Sequence, residues 1–252
     1  MIYTLYNDIV YRPLLNLLIL FYNIIPGHDM GVVIIVLTVL IRLLLAPSFH
    51  KSLKSQKAMN DLQPKLNEVR EKYKDDKEAQ ARAMMDLYKQ HNVNPLSSCL
   101  PLLIQLPILI ALVWVFRAGV GGGEIAGLYG FVHAPAYINP TFLHLVDLSK
   151  VAVTGGHWYL IDANWYWPAA ILAILAGAVQ FWQSKLMMPK NGAGQDPNMR
   201  AMNMQMMYLM PLFSFYITLR FPAALGLYWV VTTLFAVAQQ YYILRKPKPV
   251  SQ

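Results

Sequence analysis

An arginine lies inside an apolar run, Thr38-Val39-Leu40-Ile41-Arg42-Leu43-Leu44-Leu45. Its guanidinium stays protonated at any physiological pH. A charge near the centre of a membrane helix costs roughly 2.5–3.5 kcal/mol on insertion scales. Arg42 stands about seven residues before the basic end of its run, so roughly 10 Å deep at 1.5 Å per residue. Snorkelling toward that end is one way to lower the cost. Two features favour a working charge instead. Thr38 sits one turn earlier on the same face, which makes a polar stripe. Other apolar runs carry polar residues too: Gln105 at comparable depth in one, and Tyr228, Thr232 and Gln239 on one face of the last. Such faces in one bundle should turn toward each other and admit water. No Asp or Glu lies within these runs, and an unpaired buried charge is strongly unfavourable. The expected solution is a hydrated cavity, open to the cytoplasm, where the guanidinium meets a polar client.

The elements that must position these residues are membrane helices. Hydrophobic residues make up 56% of the 252, charged residues only 13%, against about 25% charged in a soluble domain. Five segments are long enough to cross about 30 Å of hydrocarbon, which takes roughly 20 helical residues. They are Gly31–Phe49, Leu96–Phe116, Trp167–Leu186, Met204–Pro222 and Ala223–Leu244. The third is strongly apolar only over Ala169–Trp182, and the last two should form a tight hairpin across Arg220-Phe221-Pro222. Within residues 1–30, the stretch Leu14–Ile25 starts after Pro13, stops at Pro26-Gly27 and is too short to span. Asn16 and Asn23 share one helix face there, so an amphipathic helix in the membrane interface is expected; a sixth, short span is the alternative. Met1–Val10 lacks the charge and apolar pattern of a signal peptide, so no cleavage is expected. Cys99 is the single cysteine, so no intrachain disulfide forms within this sequence and no N-terminal lipoprotein anchor is expected.

Charge placement sets the expected topology. Ten Lys and Arg lie between Ser48 and Asn94, three more at Lys185, Lys190 and Arg200, and three in the tail at Arg245, Lys246 and Lys248. Opposite them stand Arg12, Arg117, Lys150 and Arg220. The positive-inside rule then places the N-terminus outside and the C-terminus in the cytoplasm of a prokaryotic plasma membrane. The net charge of +8 thus reads as topology, and no sequence-specific nucleic-acid binding is expected. Residues 50–95 form the first cytoplasmic loop. There Met59, Leu62, Leu66, Val69 and Tyr73 recur at helical spacing, and so do Ala81, Met84, Met85 and Tyr88 beyond Lys74-Asp75-Asp76. Two antiparallel helices along an apolar seam are expected, with Pro64 kinking or restarting the first. The external loop, 117–166, is Gly-rich over Gly119–Gly123. It ends in an aromatic belt of Trp158, Tyr159, Trp165, Tyr166 and the adjoining Trp167. The connection 187–203 is expected to be flexible, and residues 245–252 form a short basic tail.

Three blocks carry a resemblance: Leu40-Ile41-Arg42-Leu43 through Ala46-Pro47; Leu62-Gln63-Pro64 in the basic hairpin; and Asn94-Pro95-Leu96 with Cys99-Leu100-Pro101-Leu102-Leu103-Ile104-Gln105-Leu106-Pro107. A fourth is Phe221-Pro222-Ala223-Ala224-Leu225-Gly226-Leu227-Tyr228-Trp229. In this order, from about Pro13 to Leu244, the chain resembles the YidC family, which includes the mitochondrial oxidase-assembly and chloroplast Albino insertases. The resemblance implies an all-α integral membrane fold: five transmembrane helices around a cytoplasm-open hydrophilic groove, an N-terminal interfacial amphipathic helix and a mobile cytoplasmic helical hairpin. It implies that Arg42 is the groove arginine, that Thr38, Gln105 and Tyr228 face the groove, and that Leu106 and Leu109 belong to an apolar slide for client helices, with part of Met204–Pro222. It implies insertion and chaperoning of nascent membrane proteins, with the lipid bilayer, a ribosome and a Sec-type translocon as partners. The family's extra N-terminal span and large external domain are not expected here, and the short tail weakens the expectation of ribosome docking.

No covalent chemistry is expected, hence no enzyme activity, catalytic residue, cofactor or metal. The six His residues lie in loops or near span ends without metal-ligand spacing. Eight of 13 Met residues fall between Met187 and Met210, which suits ordinary packing or an adaptable apolar surface. Rival readings are a small anion transporter, disfavoured by the lack of an inverted repeat, and an intramembrane protease, disfavoured by the peripheral His residues. Transport needs a path to both faces, whereas an insertase groove should be sealed outside.

Overall fold

The structure is a computed structural model that describes residues 2–94, 100–119, 125–155, 164–188 and 197–245. Cys99, Trp158, Tyr159, Gly121–Gly123, most of the 187–203 connection before Pro197 and the tail beyond Arg245 lie outside the described residues. A short helix α1 (Ile2–Tyr6) and a π-helical turn (Asn7–Tyr11) lead into α2 (Arg12–Ile24), which carries a proline in its first turn, where no backbone donor is lost. Pro26 and Gly27 turn the chain into α3 (Met30–Lys72), whose first turn is capped by the Asp29 carboxylate accepting from Val32 N at 3.1 Å.

Helix α3 departs from expectation. The apolar span was expected to end at Phe49 and the hairpin to begin anew. Instead one helix of 43 residues runs through both Pro47 and Pro64. Each proline removes one backbone donor, but the surrounding Leu, Lys, Glu and Arg favour helix strongly enough to carry it onward. At 1.5 Å per residue α3 is about 65 Å long, roughly twice the hydrocarbon thickness. α4 (Lys77–Gln90) folds back on its end, capped by Asp76, which accepts from Glu78 N and Ala79 N. Leu62, Leu66 and Val93 are buried in their seam with Met59, Met84 and Tyr88 against them.

The remaining helices are α5 (Leu100–Gly119), α6 (Trp167–Met187), α7 (Pro197–Arg220) and α8 (Ala223–Arg245). Between α5 and α6 lie two antiparallel pairs of two-residue strands: β1 (Thr141–Phe142) with β2 (Val146–Asp147), and β3 (Val153–Thr154) with β4 (Asn164–Trp165). Everything else regular among the described residues is helical, as a membrane-spanning chain requires. Among the described residues three helices are long and apolar enough to cross a bilayer: α3, α6 and the Ala223–Ile243 stretch of α8. α5 offers a shorter apolar stretch, Leu103–Ala118, and α7 opens with the polar Asn198, Arg200, Asn203 and Gln205. The chain is a helical membrane protein.

The apolar face of α2, with Leu15, Leu18 and Ile19 fully buried, packs into the main core against α3 and α5. Its polar face meets protein as well. Asn16 donates to Gly127 O at 3.3 Å and accepts from Tyr129 N at 2.7 Å, and Asn23 donates to His133 O at 2.8 Å. Residues 125–151 thus form a folded cap over one end of the bundle. Leu148 and Ala152 are fully buried, and the carbonyls of Lys150 and Leu148 accept from Ala223 N and Ala224 N at the start of α8. Those two donors would otherwise be orphaned at a helix terminus.

Close approach between α3 and the cap requires a missing side chain at Gly31. A Cβ there would lie 2.0 Å from a Phe142 ring carbon and 2.5 Å from Phe142 Cβ. The obstacle includes the root of the side chain, so a rotamer change cannot relieve it. Gly31→Ala should lower unfolding stability by about 1–3 kcal/mol, the range for overpacking, measured by thermal unfolding in detergent. Phe142→Ala in the same chain should recover part of that loss.

Candidate functional site: the Arg42 polar chain

Arg42 is nine-tenths buried, halfway along the bilayer-length part of α3. Its Nε donates to the Thr232 hydroxyl of α8 at 2.5 Å. Its guanidinium carbon lies 4.6 Å from the centroid of the Phe49 ring, a cation–π contact worth up to about 2 kcal/mol when desolvated. The Tyr228 phenol lies one turn earlier on α8, beside the Thr232 hydroxyl. That phenol accepts from the Gln105 amide of α5. The result is a continuous polar chain, Arg42–Thr232–Tyr228–Gln105, that joins three helices through an otherwise apolar core. Each link satisfies a polar group that would be costly to bury alone.

The chain brings together four of the six residues expected around a groove. Thr38 is buried one turn from Arg42, but its hydroxyl donates to Ile34 O at 2.6 Å, within its own helix. Gln239 lies apart. It lines a cavity of about 390 Å³ with Leu43, Ala46, Pro47, His50 and two α8 residues, and its buried Oε1 has no hydrogen-bond partner. Eleven residues on from Tyr228, it stands three helical turns away along α8. Leu106 and Leu109 separate as well. Leu106 is exposed, on a stripe with Leu103, Ile110 and Trp114, whereas Leu109 is half-buried against the core.

Phe49 was not anticipated, although its position seven residues after Arg42 places it on the same face two turns on. Nor were Ser214 and Thr218, buried on α7, whose hydroxyls donate to Pro211 O and Ser214 O. Nothing in their own run distinguishes them from lipid-facing hydroxyls. A further link joins the hairpin to the bundle: the Asn60 amide donates to Met187 O at 2.9 Å, satisfying a terminal carbonyl of α6.

A helical membrane protein with one buried arginine held by neutral partners is the class that this geometry defines. The family model described as 60Kd inner membrane protein matches residues 20–249, and the chain belongs to that family. It is 37% identical over 218 residues to a protein named membrane protein insertase YidC from Fusobacterium nucleatum subsp. nucleatum, covering 86% of this chain and 87% of that one. It is 36% identical over 232 residues to the protein of that name from Geotalea daltonii, and 36% over 235 residues to that from Nitratidesulfovibrio vulgaris. In these two the match covers 92% and 93% of this chain but only 36% and 38% of the relative.

Thr232→Val removes the acceptor and leaves Arg42 Nε buried without a partner. The expected loss is about 1–3 kcal/mol, the cost of an unsatisfied buried donor. In an Arg42→Met background the same substitution should cost much less, and unfolding of the four variants in detergent measures the coupling.

Proposed function

We propose that this chain is a membrane protein insertase and chaperone that acts without covalent chemistry, on nascent membrane proteins within the lipid bilayer. The observation that carries this reading is the buried charge of Arg42, whose partners among the described residues, Thr232 and Phe49, bear no negative charge. Such a charge is available to a client. The names of the relatives support the reading. α3, α5, α6, α7 and α8 then span the membrane as five helices around a groove open to the cytoplasm, with the N-terminus outside and the C-terminus inside. The folded cap over residues 125–151 favours an insertase over a transporter, because it covers the end of the bundle that the topology puts outside.

The physics is that of a shortened dry path. A polar segment crossing about 30 Å of hydrocarbon meets a prohibitive desolvation barrier. Water admitted to the Arg42 chain from the cytoplasm reduces that thickness. The guanidinium attracts an acidic or polar client tail. The membrane potential, negative inside, then favours outward movement of each negative charge by about 2.3 kcal/mol per 100 mV. The client helix leaves sideways along the exposed apolar stripe of α5, at Leu103, Leu106, Ile110 and Trp114. The basic α3–α4 hairpin is the surface available to a ribosome or a Sec-type channel.

Single cysteines at Lys57 and Lys150, in a Cys99→Ser background, should be labelled from opposite sides of sealed vesicles. Labelling from one side would overturn the topology. Arg42→Ala should fold and should insert a client with an acidic external tail several-fold more slowly, with a smaller effect on a matched neutral-tailed client. Arg42→Lys should retain most of the activity, because the charge persists. Protease protection in proteoliposomes reads both, and equal insertion of the acidic client by wild type and Arg42→Ala would sink the attraction mechanism. Deleting residues 65–84 should leave an integrated protein that inserts clients poorly.

A further inference from the structure

The tightest backbone in the cap is the turn between β1 and β2. Leu143 and His144 both have positive φ, 49° and 59°, and Leu145 N bonds Phe142 O at 3.0 Å across them. Two successive positive φ angles in a hairpin turn ordinarily call for Asn or Gly. A bulky leucine there is a strained choice, and its side chain is not compensated by packing. Leu143 is 56% exposed and Leu145 is 75% exposed. Strain and exposure together point to something outside the chain that favours apolar side chains at this spot.

The position of the turn identifies it. Leu143 N donates to Asp29 Oδ2 at 2.6 Å, and Asp29 is the N-cap of α3. Asp147 N, on the other strand, donates to the Tyr166 hydroxyl at 2.7 Å, and Tyr166 is the N-cap of α6. The hairpin is therefore pinned between the starting points of two helices long and apolar enough to cross a bilayer. On the spanning arrangement proposed above, on which this inference rests, those starting points mark one edge of the hydrocarbon layer. Trp167, the first residue of α6, is 65% exposed and stacks on Trp165 at 5.5 Å, as interfacial aromatics do.

We propose that the Leu143–Leu145 turn is a lipid anchor that inserts its two leucines into the bilayer interface at the N-terminal ends of α3 and α6. The occupant of this surface is the lipid headgroup and acyl boundary. Each leucine moved from water into that boundary gains hydrophobic stabilisation, which offsets the strained turn. The anchor also holds the cap level with the membrane, because the same hairpin is bonded to both helix starts.

The test uses the full-length chain in vesicles of phosphatidylcholine and phosphatidylglycerol. A nitroxide is attached at Leu145→Cys in a Cys99→Ser background, and its collision rates with oxygen and with a water-soluble nickel chelate are compared. Oxygen collisions should exceed chelate collisions, as for a site below the headgroups. Adding Leu143→Asn should at least halve the oxygen-to-chelate ratio and should leave the unfolding temperature unchanged or raised, since asparagine accepts the positive φ. Chelate collisions that exceed oxygen would overturn the anchor by placing the turn in water. Shielding from both reagents would overturn it by showing a protein cover. A lowered unfolding temperature for Leu143→Asn in detergent would overturn it by showing that the leucine serves the fold.

Discussion

The guanidinium of Arg42 is the constraint around which the membrane part of this protein is arranged. A permanent charge at that depth must find polar company or be expelled. It finds Thr232 at 2.5 Å and the face of Phe49, and Thr232 and Tyr228 pass the polar contact on to Gln105. Three helices meet at this polar chain, and one hydrogen bond links α3 to α8 across 190 residues. Neutral partners satisfy hydrogen-bonding geometry without cancelling charge. On the function proposed above, the charge that remains is what an acidic client tail meets.

The opposite end of the bundle is held by polar side chains that bond the cap. Asn16, Tyr22, Asn23 and Asp29 each bond a backbone group of the cap, so irregular backbone there has partners without recourse to water. Gly31 lets the cap approach α3 to a distance no side chain would tolerate. One end is closed by directional bonds, and the polar chain lies on the far side of the fully buried layer formed by Leu15, Leu18, Ile34 and Leu112.

Much of this was legible from residue type and spacing. Arg42, Thr232, Tyr228 and Gln105 were singled out as polar residues in apolar runs, and the rule that buried polar groups seek each other brings them together. The seam residues Leu62 and Leu66 were legible as a helical stripe and are buried. What was not legible depends on tertiary context. The continuity of α3 was hidden by the change from apolar to charged composition near Phe49 and by Pro64, which reads as a kink or a restart because propensity is local. The protein partners of the polar face of α2 were hidden because an amphipathic pattern is the same whether that face meets water, headgroups or a loop. Gln239 shows the limit of grouping by helix face: it shares a side of α8 with Tyr228, yet three turns of rise carry it past the end of the polar chain.

The continuity of α3 changes how the hairpin relates to the site. Had the helix ended at Phe49, the basic residues beyond it would move independently of Arg42. As one helix of 43 residues, α3 carries Arg42 and the hairpin seam on the same rod. Sharp bends in helices fall mostly at prolines, and α3 carries two, Pro47 and Pro64. Pro47 lies five residues from Arg42, between it and Phe49, the residue that stacks on the guanidinium. The Asn60 bond to Met187 O fixes the rod between the two prolines to the end of α6. Pro64 lies beyond the Asn60 contact and Pro47 before it, so of the two prolines only Pro47 stands between Arg42 and both Phe49 and that contact.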